Sequence, residues 1–346
     1  TYSRWIDDKK RRETWPETVE RYIGFITKYQ PDIPKKTIRK IRKYVLSFEV
    51  MPSMRMLWAA GPPAEKDNTC IYNCSFANID SIESFAECLH ILMCGTGFGF
   101  SVSEKHVNKL PVVPELTTDR LPDYVVPDSK EGWADLVKVL MNSLYEGKHI
   151  HFDYSKLRPE GSRLATMGGR SSGPAPLIRL HQFMREVFSK AQGRKLRPID
   201  CHDICNQIAE IVVSGGVRRS SQISLSDLDN EKMRDAKIWP FPLRRAMANN
   251  SAVYESKPTA VEFLKEWATL AASGTGERGI FNLNGARNSA PKRRNGNMIE
   301  GTNPCGEIML RDQEFCNLSE VVVKEYDDLD TLLDKVETAT WMHSRS

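Results

Sequence analysis

The sequence predicts an α/β fold. Short runs rich in β-branched and aromatic residues alternate with longer runs of helical apolar periodicity, turn residues separate the two, and no repeat of 20 to 50 residues recurs. With 346 residues, 40% apolar and 27% charged, the chain can bury a large core. Lys+Arg of 49 against Asp+Glu of 45 leaves a formal charge of +4, too small an excess to require nucleic acid, and anionic small molecules fit equally well. No apolar run of about 18 residues is present to span a bilayer, and "TYSRWIDDKKRRETW" lacks the apolar core of a secretion signal. The expectation is a cytoplasmic protein without a membrane or nucleic-acid partner, in which eight cysteines stay reduced unless a disulfide is transient and catalytic.

The elements follow in order. "TWPETVERYIGFITKY" predicts a helix with Thr14 as cap, Glu17 closing a capping box, and Val19, Tyr22, Ile23 and Ile26 as its apolar stripe. A second helix carries six basic residues between Lys35 and Lys43 around Ile38 and Ile41, which read as a solvated face or as attraction for a nucleotide phosphate. Residues 1–50 are thus a helical N-terminal region. Beyond "MPSMRMLWAAGPP", "NTCIYNCSFANI" predicts a strand and "DSIESFAECLHILM" a helix capped by Asp80 and Glu83. "GFGFSV" is a strand, "DSKEGWADLVKVLMNSLY" a helix with Trp133, Leu136, Val137, Leu140 and Leu144 on one face, "HIHFDY" a strand, and "PLIRLHQFMREVF" a helix. "CHDICNQIAEIVVSGG" reads as a helix stopped at Gly215, "SQISLS" as a strand, "TAVEFLKEWATLAAS" as a helix, "GIFNLN" as a strand and "LDTLLDKVETATWM" as a last helix.

The chemistry concentrates in "TNPCGEIMLRDQEFCNL". In an extended segment alternate side chains share a face, so Asn303, Cys305 and Glu307 would point one way. Proline and glycine around the cysteine favour a loop tip. Carboxylate and thiol two residues apart suggest a base beside a reactive sulfur, with an amide to orient a substrate. Read alone, "NPCG" is equally an ordinary turn with an incidental thiol. None of the seven histidines has a context that nominates it as partner to a hydrolytic cysteine. Cys70/Cys74 and Cys201/Cys205 are spaced C-x-x-x-C with His202 inside the second pair, but the paired C-x-x-C of a zinc knuckle is missing, so no metal is assigned. Cys88 and Cys94 read as core or loop residues. "CGTGFGF" could offer backbone N–H groups to phosphate but matches neither a P-loop nor G-x-G-x-x-G. "VSGGVRRSSQ" reads as a cationic loop suited to a nucleotide, or as a solvated one.

In their order, "YNCSF", "CGTGFGFSV", "PDSKEGW", "FDYSKLRPEGSRLATMGGRSSGPAPL", "GGVRRSSQISL", "ANNSAV", "GERGIFNLN", "NPCGEI" and "FCNLSEV" resemble class II ribonucleotide reductase, specifically the adenosylcobalamin-dependent ribonucleoside-triphosphate reductase type. The resemblance implies that residues 51–346 are the first part of a ten-stranded α/β barrel. It implies that Cys305 is a thiyl-radical cysteine on a finger loop that takes the 3′ hydrogen of a ribose. Glu307 matches the base on the 3′ hydroxyl and Asn303 a hydrogen-bonding amide. Cys74 and Cys316 match a dithiol that reduces the 2′ position as water leaves and becomes a disulfide. A disulfide needs Cα atoms about 5.5 Å apart. Only the fold can bring together residues 242 positions apart (316 − 74).

By similarity Ser53 and Gly97 contact the substrate, and the loop of Gly215, Gly216, Arg218 and Arg219 links effector and substrate sites. The implied partners are a ribonucleoside triphosphate, a deoxynucleotide effector and a thioredoxin-like dithiol, with adenosylcobalamin as cofactor. Family members are considerably longer. Their later barrel strands, much of the cobalamin contact surface and a C-terminal cysteine pair find no match here, so the chain reads as an N-terminal part that a C-terminal complementing chain would complete. The alternatives are a class I ribonucleoside-diphosphate reductase large subunit and an inactive nucleotide-binding fragment.

Overall fold

The computed structural model describes residues 2–164, 170–214 and 221–344. The chain divides into two compact units, one formed by Thr1–Asn73 with Phe315–Ser346 and one by Cys74–Glu314. The expected boundary near residue 50 falls on a strand within the first unit, Val50–Pro52.

That unit opens with a short antiparallel pair, Trp5–Ile6 with Arg11–Arg12, and continues into α1 (Trp15–Tyr29), started by the capping box the sequence predicts. The Thr14 hydroxyl accepts from Glu17 N–H, and the Glu17 carboxylate accepts from Thr14 N–H at 2.8 Å. Val19, Tyr22, Ile23 and Ile26 are buried. In α2 (Lys35–Leu46), Ile38, Ile41, Tyr44 and Val45 face inward. The basic residues lie off that stripe, with Arg42 paired to Glu20 and Lys40 to Asp334, as a solvated face requires. The chain continues through β1 (Val50–Pro52) into the short α3 (Met54–Ala59). Much of the long strand read into "NTCIYNCSFANI" is instead a 3₁₀ turn over Asn68–Ile71, because the Asp67 carboxylate accepts from Thr69 N–H and offers the backbone a local alternative.

The second unit begins with β2 (Cys74–Asn78), α4 (Ile82–Met93) and β3 (Gly97–Ser101), followed by α5 (Lys130–Tyr145), α6 (Ala175–Ser189) and α7 (Pro198–Ser214). β4 (Gln222–Asp227), β5 (Ala248–Val253), α8 (Ala260–Ser273) and β6 (Gly279–Phe281) complete the alternation. The strands pair in parallel in the order β6-β5-β4-β3-β2. A parallel sheet has both faces covered, and every residue of β2 and β3 is buried. "ANNSAV", which the sequence offers only as a motif, forms β5. α4 packs on α5 and α7, and on α5 Leu136, Val137, Leu140 and Leu144 are buried while Trp133 is half-buried. The cap of α4 is Ser81 with Ser84 rather than Asp80 with Glu83. The carboxylates pair with lysines instead, Asp80 with Lys109 and Glu83 with Lys138. "HIHFDY" yields only the two-residue strand Phe152–Asp153, paired with Tyr124–Val125.

A small antiparallel hairpin, β7 (Gly301–Thr302) with β8 (Met309–Leu310), ends the second unit. The chain then re-enters the first unit, where β9 (Ser319–Val321) pairs with β1 and α9 (Leu329–Ser344) packs on both and on α2. Among the described residues no helix is long and apolar enough to cross a membrane.

Candidate active site

The β7–β8 hairpin presents the loop 303–308 that carries Asn303, Cys305 and Glu307. Gly306 adopts φ of +88°, a left-handed conformation that side-chain-bearing residues rarely take, and its N–H donates to Asn303 O at 3.0 Å. The loop is therefore a tight turn, and the shared face expected of an extended segment does not form. Asn303 turns inward, fully buried, while Cys305 and Glu307 are exposed at the tip.

Asn303 closes the loop on itself. Its Oδ1 accepts from Ile308 N–H at 3.0 Å, its own N–H donates to Ile308 O, and the Thr302 hydroxyl donates to the same carbonyl at 3.1 Å. Its Nδ2 is buried without a hydrogen-bond partner. An unmet buried donor of this kind costs about 1–3 kcal/mol.

The hairpin rests on the sheet through two bare glycine positions. A Cβ built on Gly99 in β3 would lie 2.2 Å from Thr302 O, and one on Gly301 would lie 2.1 Å from the Phe76 ring. Neither site admits a methyl group without movement. The glycines of "CGTGFGF" thus include one that serves close backbone approach, in place of the phosphate cradle considered for the motif. Phe76, Gly99, Gly301 and Thr302 are site residues that sequence reasoning missed. Their signal was present: glycines at alternate strand positions leave one face of β3 without side chains.

Burial pushes the Cys305 thiol above its ordinary pKa, with the Glu307 carboxylate and then the Cys74 sulfur adding to the shift. A thiolate is disfavoured beside a carboxylate, so the sulfur keeps its hydrogen at neutral pH. That state suits hydrogen-atom chemistry better than attack by a thiolate. Cys74, buried at the start of β2, sits opposite Gly97 of β3 in the sheet register. Cys305, Glu307, Asn303, Cys74 and Gly97 therefore belong to one unit.

Ser53 and Cys316 belong to the other. The Ser53 hydroxyl caps α3, accepting from Arg55 N–H, and donates to Asn73 Oδ1 at 2.6 Å. Asn73 N–H donates to Cys316 O at 3.2 Å, and Ser53 lines a recess with Asn317, Met56 and Met342. Gly215, Gly216, Arg218 and Arg219 lie outside the described residues.

Three of the remaining cysteines behave as core. Cys88, Cys201 and Cys205 are fully buried, burial raises the pKa of Cys201 and Cys205, and the Cys205 thiol hydrogen-bonds that of Cys88. Burial holds His202 neutral, its pKa pushed down to about 3, with Nδ1 on Ser224 Oγ at 3.0 Å and Nε2 on Asn206 at 3.1 Å. Both ring nitrogens are engaged within the protein, so His202 offers no open position to a metal.

With this geometry in place, comparison with known proteins assigns the class. A family model of the ribonucleotide reductase alpha domain matches residues 1–62, and one of the ribonucleotide reductase barrel domain matches residues 242–345. The chain belongs to the ribonucleotide reductase family. Its branch follows from a third model, the insertion domain of B12-dependent ribonucleotide reductase, over residues 104–188. Adenosylcobalamin-dependent ribonucleoside-triphosphate reductases of Lactobacillus gasseri and Lactobacillus helveticus are 30% and 31% identical over 93% of this chain and 53% of their own length. The crystal structure of a B12-dependent (class II) ribonucleotide reductase superposes with a TM-score of 0.82 at 25% identity, covering all of this chain and 57% of that one. A class Id alpha subunit from Actinobacillus ureae shares the fold alone, with a TM-score of 0.51 at 13% identity, covering 95% of this chain and 51% of its own. The chain spans about half the length of the relatives it matches.

Proposed function

We propose that this chain carries the radical and base residues of an adenosylcobalamin-dependent ribonucleoside-triphosphate reductase that makes deoxyribonucleoside triphosphates for DNA synthesis. The observation that carries the reading is an exposed, protonated Cys305 at the tip of a rigidly seated hairpin, with Glu307 two residues on and Cys74 within electrostatic reach.

Cys305, as a thiyl radical, takes the 3′ hydrogen of the ribose. Glu307 accepts the 3′ hydroxyl proton, which eases loss of the 2′ hydroxyl as water. Cys74 and Cys316 supply two electrons and become a disulfide. The balance is one ribonucleotide and one dithiol giving one deoxyribonucleotide, one disulfide and water, with the abstracted hydrogen returned from Cys305. A thioredoxin-like dithiol in the cytoplasm restores the pair. The buried Nδ2 of Asn303 is a donor ready for a substrate oxygen. Ser53 and Gly97 are taken as substrate contacts, and the 215–219 loop as the link to a deoxynucleotide effector.

Adenosylcobalamin, when bound, supplies the radical chemistry that a thiol does not begin unaided. The fit on this chain's side is an exposed sulfur beside Gly306, where a Cβ would meet nothing within 4 Å, so a bulky group can reach the tip. The remaining half of the relatives' length, supplied with this chain, is what turnover is tested with. The second reading is a nucleotide-binding fragment inactive by itself. The test is reduction of CTP or ATP with adenosylcobalamin and a dithiol, by this chain alone and with a complementing half. Product only in the mixture supports the proposal, and nucleotide binding without product in either supports the fragment.

A further inference from the structure

We infer that Gly99 and Gly301 are positioning residues that set the height of Cys305 above the sheet, with the Phe76 ring as the surface on which the hairpin rests. The inference rests on the reading of Cys305 as the reacting thiol, and its test reads the position of the thiol independently of its chemistry.

Three observations converge. The Gly99 site touches backbone, since an added Cβ would lie 2.2 Å from Thr302 O, with Phe76 Cδ2 at 3.2 Å and Ile223 Cγ2 at 3.3 Å around it. The Gly301 site touches one side chain, as its three nearest atoms, at 2.1, 2.2 and 2.7 Å, all belong to Phe76. Thr302, fixed from below by the Gly99 contact, is tied from above to the loop through its hydroxyl on Ile308 O and Asn303 Oδ1. The loop is braced internally and open at the tip, so movement at Thr302 is passed to Cys305 as a rigid displacement. An ordinary carbon–oxygen contact needs more than 3 Å, so a methyl group at Gly99 lifts the hairpin by roughly 1 Å. The two glycines differ in remedy: a smaller residue at 76 makes room for a methyl at 301 but not for one at 99, where the obstacle is backbone.

The experiment uses the full chain as purified. Cys305 is the exposed cysteine of the eight, so its alkylation by iodoacetamide is followed by peptide mass spectrometry across pH, with iodide leaving as the thiolate attacks. Hydrogen exchange of the 302–308 amides is measured in parallel. Wild-type Cys305 titrates above an ordinary thiol because the fold partly buries it and holds it close to Glu307 and Cys74. Gly301→Ala and Gly99→Ala each move that profile to lower pH, raise the alkylation rate near pH 8 by about threefold or more, and speed loop exchange about tenfold. Adding Phe76→Ala returns the profile of Gly301→Ala toward wild type and leaves that of Gly99→Ala displaced. Gly24→Ala, placed in open space on α1, changes neither readout.

If folded Gly301→Ala keeps the wild-type profile and exchange rates, the inference is overturned, and the same holds if Phe76→Ala rescues both variants alike. Should Gly99→Ala fail to fold, the Gly301→Ala and Gly301→Ala/Phe76→Ala pair still decides. Failure of the proposed function would appear elsewhere, as reduction persisting in Cys305→Ser with a complementing half, so the two failures are distinguishable.

Discussion

Cys305 and the cysteines between α4 and α7 carry the same functional group in opposite settings. Cys88, Cys201 and Cys205 lie fully buried among apolar side chains and make their polar contacts inside the core. Cys305 stands exposed on a turn whose base is closed by Asn303 and whose neighbour Gly306 faces open space. Burial raises the pKa of Cys201 and Cys205 in the core, and burial with Glu307 and Cys74 does the same for Cys305 at the tip. What separates the two settings is access and a neighbouring carboxylate.

The comparison can be broken at its strongest point first. In a complemented assay, Cys305→Ser abolishes nucleotide reduction to background while nucleotide binding persists, and measurable turnover in the variant would remove the radical assignment. Cys74→Ser and Cys316→Ser come next: each allows no multiple turnover with thioredoxin as reductant, and sustained cycling would show that another dithiol serves. Among the helices, Cys205→Ser buries a hydroxyl in an apolar site and lowers unfolding stability by about 1–3 kcal/mol, read from denaturant midpoints, with Cys305 alkylation unchanged. The smallest effect belongs to the far end of the chain. Thr14→Ala removes the cap of α1 and lowers stability by about 1 kcal/mol, again without moving Cys305. A shift in Cys305 reactivity in either of the last two variants would mean that the hairpin is less independent than its bracing suggests.

Much of this was legible from the residues in order. The Thr14/Glu17 box, the stripe on α5 and the alternation of strands and helices depend on local pattern, and local pattern survives folding. The cap of α4 was misplaced by one residue because "DSIES" offers two overlapping capping pairs, Asp80 with Glu83 and Ser81 with Ser84, and the choice fell to lysines on other elements that take the carboxylates. The shared face of Asn303, Cys305 and Glu307 failed for a similar reason. Alternation assumes extended backbone, and a single left-handed glycine at 306 ends it. The loop that carries the proposed site was readable as a motif, whereas its seat was not, since the approach of Gly99 to Thr302 joins positions about two hundred apart.

That seat reverses the usual map of what a protein tolerates. In most cores the large apolar residues are the ones that resist replacement and small ones yield. Along "GFGF" and "EGTNP" a saturation scan would find the pattern inverted, with the phenylalanines open to other bulky apolar residues and the glycines at 99 and 301 the least tolerant of replacement. Sequence drift in this segment is therefore governed by the least conspicuous atoms in it, the hydrogens that stand where side chains would be.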